Sequence, residues 1–173
     1  MKKLVILGFG GYGKTIEDIV LSAQLFDEII FLDDNAENER VAGRCMDFRN
    51  YISGETWFYP AFGNNNLRIE WLNMMSGEGA QIATIIHPSA YIGRNTEIGK
   101  GCAVLPNAVI NTTAVLKQGC IVNFGAIVDH DVTIEKGVHI GLNGVVKAYN
   151  RIPPFAKIEA GQVIFNNTFK RES

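Results

Sequence analysis

Residues 121–141 read IVNFGAIVDHDVTIEKGVHIG, and an aliphatic residue returns at every sixth position: Val122, Val128, Ile134, Ile140. Followed outward, the same beat holds at fourteen successive positions without an insertion, from Ile86 to Ile164. Four residues after each aliphatic the side chain is small or β-branched, as at Ala90, Cys102, Ala108, Ala126 and Val132, with Asn150 and Gln162 as the exceptions. Period six is neither a helical repeat nor a long strand alternation, so it describes a short strand and a turn, repeated. One such unit cannot bury its apolar residue alone. Stacked units can, because each aliphatic then rests on its equivalent one coil away, at the strand spacing of about 4.8 Å.

The second half is therefore a hexapeptide-repeat parallel β-helix. It resembles the left-handed β-helix of acyltransferases, in which three hexapeptides form a triangular coil of eighteen residues. On that count the chain holds a little over four coils. Cys102 and Cys120 are eighteen apart and so share one corner of neighbouring coils. A disulfide is conceivable at that spacing, but two small residues in a core ladder is the favoured reading.

Composition excludes several partners. The chain has 173 residues, 47% of them apolar, and a net charge of −2. That balance gives no footprint for nucleic acid or an anionic membrane. No apolar segment reaches the length of a membrane span. The start, MKKLVILGFGG, runs from a short apolar stretch straight into glycines with no cleavage site, and so predicts a first strand. Three cysteines without a C-x-x-C pair predict free thiols and a cytoplasmic protein.

Residues 1–80 read as a small α/β unit, 81–165 as the β-helix and 166–173 as a tail. KKLVILG is a buried strand and GKTIEDIVLSAQ a helix; DEIIFLDDN and ETWFYPAFG are further strands. NNNLRIEWLNMMS is a second helix with an Asn N-cap, and QIATIIHPSA leads from a last strand into the first coil. The stretch GFGGYGKT (8–15) matches both G-x-G-x-x-G and G-x-x-x-x-G-K-[ST]. A P-loop NTPase needs a larger sheet and a distant metal-binding carboxylate. A full dinucleotide fold needs two halves, and the chain has room for one. What both patterns share is close backbone approach and a helix N-terminus facing phosphate, which suits one nucleoside diphosphate. Asp33 and Asp34 would then accept hydrogen bonds from a ribose or base. A tight strand–helix turn alone would also produce the glycines.

GFGGYGK, FLDDN, AFGNNNLR, IIHPSA and NFGAIVDHD, in this order, resemble the sialic-acid O-acetyltransferase and bacterial sugar N-acetyltransferase family over residues 3–160. The resemblance implies transfer of an acetyl group from acetyl-CoA to an amino or hydroxyl group of a nucleotide-linked sugar or sialic acid. It implies His130 as general base and Asp131 as the carboxylate that orients its ring. It places His139 near the donor acetyl group and Asn123 at the acceptor amine. It sets the sugar nucleotide against Gly10, Gly11, Gly13, Asp33, Asp34, Asn64 and Asn65. It further implies a homotrimer with each site between neighbouring β-helices, and no metal. The chain departs from the family pattern at Tyr12, where many relatives have histidine, and at Asn35 after the two aspartates. It also departs in an early end to the coils.

That last departure motivates the alternative, a nucleotide-sugar-binding protein with a truncated donor site. From the residues alone, His130 between Asp129 and Asp131 reads equally as a base or a solvated turn, and His87 as a structural residue at the first coil. A zinc site from His87, His130 and His139 is disfavoured, because the 43-residue gap between the first two puts them at different corners.

Overall fold

The computed structural model describes residues 2–35, 37–166 and 168. The chain divides into two compact units after Ala83. Most of the tail expected at 166–173 lies outside the described residues. In the first unit β1 (Lys3–Leu7), α1 (Gly11–Ser22), β2 (Glu28–Leu32) and β3 (Val41–Gly43) come first. A 3-10 helix (Cys45–Tyr51), β4 (Thr56–Pro60), α2 (Asn65–Gly77) and β5 (Gln81–Ile82) follow. Among the described residues they form one five-stranded sheet, ordered β3-β2-β1-β4-β5, with every pair parallel.

β1 lies in the middle, which is why Leu4, Val5, Ile6 and Leu7 form an unbroken apolar run with no exposed surface. Alternate residues face opposite sides. Val5 and Leu7 pack with Leu32 and Phe58 against Cys45 and Phe48 of the 3-10 helix and Leu72 and Met75 of α2. Each such buried side chain stabilises the unit by about 1.5–3 kcal/mol. Gln81 and Ile82, read from sequence as the start of the β-helix, instead pair with Trp57 and Phe58, so the first sheet extends slightly further. Two elements escaped the sequence reading. Val41–Gly43 is too short to show a period, and a 3-10 segment lacks the 3.6-residue stripe that marks an α-helix.

The turn between β1 and α1 is fixed by close approach. Gly8 has φ +108°, and a Cβ on Gly13 would overlap the Gly8 carbonyl oxygen. The strand and helix therefore meet backbone to backbone, with Phe31 underneath.

The second unit is the β-helix. Among the described residues, two-residue strands stack into three parallel sheets of five, four and five strands. The register step is one coil: Val109 pairs with Ile127, Ile127 with Val145, and Val145 with Val163. The inward aliphatics and small residues, from Cys102 to Ile164, make one continuous core. Asn150 breaks the small-residue pattern yet is fully buried. Its Nδ2 donates to the carbonyls of Lys147 and Phe165, both at 2.8 Å, so burial leaves that amide nitrogen satisfied. All three cysteines are free and buried; Cys102 and Cys120 are ladder residues as expected, the Cys120 N–H facing Cys102 Sγ at 3.4 Å.

Each turn between rungs is made by a residue at positive φ, recurring every sixth position from Asn95 to Gly161. Glycine and asparagine fill most of these positions. Thr113, Tyr149 and Phe155 also adopt it, at φ 60°, 63° and 62°, where a side chain costs roughly 1–2 kcal/mol.

Gly13→Ala is expected to lower the unfolding free energy of the first unit by about 3 kcal/mol, because backbone must move to admit the methyl. Gly11→Ala, whose Cβ meets nothing within 4 Å, is expected to be neutral or slightly stabilising. Urea denaturation of both variants checks the contrast.

Candidate active site residues

In the first unit a cavity of about 510 Å³ opens at the C-terminal ends of the parallel strands, beside the starts of both helices. Gly10 and Tyr12 line it from the first turn of α1, and Asn64 and Leu67 from that of α2. Helix starts expose N–H groups that have no acceptor within the helix, and their dipoles favour an anion. Gly10, the N-cap, and Gly11 leave open space where a side chain would stand. One wall is polar, from Asp33, Asp34 and Asn35; another is apolar, from Ala61, Phe62 and Trp71.

The polar wall is held in place by backbone. Asp33 Oδ2 accepts from the Phe9 N–H at 2.7 Å, tying the glycine turn to the end of β2. Asp34 Oδ1 accepts from the Cys45 N–H at 3.0 Å. Burial, with the two aspartates beside it, pushes the Cys45 thiol up to about 12, so it stays protonated at neutral pH. The loop before α2 is anchored by Arg68, fully buried, whose guanidinium donates to the Phe62 carbonyl and to Asn65 Oδ1, both at 2.9 Å. Asn64 caps α2 by accepting from the Leu67 N–H at 3.0 Å.

Five of the seven residues expected to hold a nucleotide line this cavity: Gly10, Gly11, Asp33, Asp34 and Asn64. Gly13 does not. It lies beneath the turn, where its lack of a side chain serves helix–strand packing. Asn65 does not line it either, its Oδ1 being bound to Arg68. Sequence reasoning missed Phe62, Leu67 and Trp71. The spacing of Leu67 and Trp71, four apart on a helix, was the available signal.

In the second unit His130 and Asp131 meet as expected. His130 Nδ1 lies 2.8 Å from Asp131 Oδ2. A carboxylate only accepts, so the proton sits on Nδ1 and the lone pair on Nε2. The Asp131 hydrogen bond holds the His130 pKa above its usual value; desolvation opposes it, and the charges of Asp129 and Asp131 add support. Asp129 is itself shaped by opposing influences. Partial burial pushes it up, but hydrogen bonds from the His130 N–H and the Asn111 amide prevail, and its pKa falls. The His130 ring meets the edge of Tyr149 at 5.2 Å.

Asn123 and His139 form a second pair, Asn123 Nδ2 lying 3.4 Å from His139 Nε2. His139 belongs to the sheet containing Ile121, whereas His130 follows the strand Ile127–Val128 of another sheet. Within one chain the two pairs therefore occupy different faces of the coil. His87 Nδ1 bonds Ser89 Oγ at 2.8 Å, a local turn contact. Among the described residues no group of three or more His, Cys, Asp or Glu could hold a metal ion.

Asp131→Asn is expected to lower the His130 pKa, since the largest cause of its upward shift is removed. The linkage sign follows. His130 contributes stability that is fully present below its unfolded value near 6.5 and is lost as pH rises through the raised folded value. NMR titration of the imidazole, and melting of wild type against His130→Gln across that window, check both.

Known proteins resemble this chain in sequence and fold. Residues 3–75 match the PglD N-terminal domain. UDP-N-acetylbacillosamine N-acetyltransferase of Bacillus subtilis is 29% identical over 112 residues, covering 61% of this chain and 52% of that enzyme, so the match spans about half its length. The acetyltransferase domain of PglB from Neisseria gonorrhoeae is 28% identical with a TM-score of 0.84, over 96% of this chain and 92% of that one. The same domain in complex with acetyl coenzyme A is matched over 97% of its chain at a TM-score of 0.74. PerB from Caulobacter crescentus, in complex with CoA and GDP-perosamine, shares the fold at 22% identity and a TM-score of 0.77, over 99% of this chain and 92% of that one. Residues 3–75 thus match the PglD N-terminal domain, and nearly the whole chain is similar in fold to the acetyltransferase domain of PglB.

Proposed function

We propose that the chain transfers the acetyl group of acetyl-CoA to an amino group of a nucleotide-linked sugar. The observation that carries this reading is the His130–Asp131 pair, which leaves a basic, half-exposed Nε2 on the outside of the coil. The acceptor nitrogen attacks the thioester carbonyl as Nε2 takes its proton; the C–S bond then breaks and the CoA thiolate is protonated from the imidazolium. Asp131 stabilises the imidazolium meanwhile. His139 and Asn123 supply polar groups for the acetyl oxygen and the acceptor. The cavity of the first unit supports the nucleotide part: helix N-termini for the diphosphate, Asp33 and Asp34 for ribose or base hydrogen bonds, Phe62 and Trp71 for an apolar base face.

A homotrimer fits two features. His130 and His139 lie on different faces, so a neighbouring copy is needed to bring both kinds of group to one acceptor. The outward positions of one sheet are all apolar: Tyr91, Val109, Ile127, Val145 and Val163, with Tyr91 60% exposed. A second copy covering this ladder would remove it from water. Buried free thiols suit a reducing cytoplasm. No described helix is long and apolar enough to cross a membrane.

The second reading, a nucleotide-sugar binder without a donor site, rests on the cavity of the first unit, which could hold a nucleotide whether or not an acyl donor is bound. Against it, the Neisseria domain that holds acetyl coenzyme A aligns with this chain over 97% of its length.

Release of CoA from acetyl-CoA, measured with UDP- and GDP-linked 4-amino sugars, tests the proposal. Turnover is expected with at least one acceptor, and His130→Ala is expected to reduce kcat about 10²–10⁴-fold. No release by a folded protein that binds nucleoside diphosphate would install the second reading. Ile127→Glu is expected to convert the trimer to smaller species in light scattering; an unchanged mass would remove this sheet from the interface.

A further inference from the structure

The corner of the coil that carries His130 is built unlike the other two. At those, the positive-φ position is held by Asn107, Gly125, Asn143 and Gly161, and by Gly101, Gly119, Gly137 and Phe155. At the His130 corner it is held by Asn95, Thr113, Asp131 and Tyr149, with no glycine. Positive φ is an outlier for a β-branched or bulky residue. Thr113 and Tyr149, eighteen residues either side of Asp131, both accept it, and both touch the His130–Asp131 pair.

Thr113 approaches from the coil before. Its Oγ1 lies 2.8 Å from Asp131 Oδ1 and accepts from the Asp131 N–H at 3.3 Å. The Thr112 carbonyl, 2.6 Å away, competes for the hydroxyl proton, but an ionised carboxylate is the stronger acceptor. Asp131 Oδ1 is thereby held while Oδ2 faces His130 Nδ1. The Asp131 side chain is 40% exposed, so water competes for its carboxylate and the Thr113 contact opposes that competition. Tyr149 meets the imidazole from the coil after, edge-on at 88°.

We propose that Thr113 is a positioning residue for the general base. From the preceding coil it fixes the Asp131 carboxylate, which fixes the tautomer and orientation of His130, and Tyr149 closes the other side of the ring. This rests on the reading of His130 as base. Neighbouring polar groups have partners of their own. Asp129 stands on its own turn, bound to Asn111. The coil before contributes neutral Asn111, Thr112 and Thr113. On the coil after, Lys147 lies over the Phe165 ring at 5.9 Å.

The test uses NMR of the imidazole nitrogens in the full chain, whose three histidines are separable with His→Gln variants. Thr113→Val keeps the branched shape and removes the hydroxyl. The His130 titration midpoint is expected to move down and its Nδ1–H tautomer to lose dominance, with His87 and His139 unchanged; Thr113→Ser is expected to restore both. Thr113→Gly relaxes the backbone and guards against a folding artefact: it is expected to melt no lower than wild type yet show the same His130 shift. With acetyl-CoA and a working acceptor, Thr113→Val is expected to lower kcat about tenfold, the value of one hydrogen bond to an ionised group, with KM for acetyl-CoA unchanged. An unshifted His130 in both Thr113→Val and Thr113→Gly overturns the proposal, as does failure of Thr113→Ser to rescue. The titration needs no acceptor, so its result stands apart from the fate of the transferase reading.

Discussion

The second unit depends on residue i lying on residue i+18. Each coil hands its backbone N–H groups to the carbonyls of the next: Val109 to Ala126 at 2.9 Å, Ile127 to Gly144 at 2.8 Å, Val145 to Gln162 at 2.8 Å. Because strands of two residues have no stability alone, this stacking decides which side chains enter the core and which are presented at the corners. It also decides what surrounds a side chain at a corner. His130 and Asp131 are neighbours in sequence, but the groups that hold them, Thr113 and Tyr149, belong to the coils on either side. One insertion of a residue between coils would separate them.

The two units supply different chemistry by different means. In the first, backbone dominates: strand ends and helix starts converge on the cavity, and Asp33, Asp34 and Arg68 are spent chiefly on fixing loops. On the proposed reading, such a site recognises the shared part of a ligand class, a phosphate chain and its attached ring. In the second, the backbone serves as a rack that presents side chains such as His130 and Asp131 at the coil corners.

The β-helix was legible in the sequence because a period of six over fourteen positions leaves no other fold that buries those residues. The first sheet was legible at Leu4–Leu7 and at α1, where apolar runs and helical spacing are long. It was not legible at Val41–Gly43 or the 3-10 helix. The His130–Asp131 pair was named through the family resemblance; from the residues alone His130 between two aspartates reads equally as a base or a solvated turn. Gly13 was misplaced because a glycine that admits a ligand and one that admits a helix look alike in a motif; only the overlap with Gly8 separates them. The roles of Thr113 and Arg68 were invisible, since each depends on a partner brought close by stacking or by a helix turn.

On the proposed reading this chain keeps two working sites, one for a nucleoside diphosphate and one for an acyl donor. Calorimetric titration of the folded protein with acetyl-CoA, repeated in the presence of saturating uridine or guanosine diphosphate, tests it most directly. The account predicts saturable micromolar acetyl-CoA binding in both experiments, alongside separate heat from one of the two nucleotides. Nucleotide binding without any response to acetyl-CoA would contradict it and leave a sugar-nucleotide-binding protein in its place.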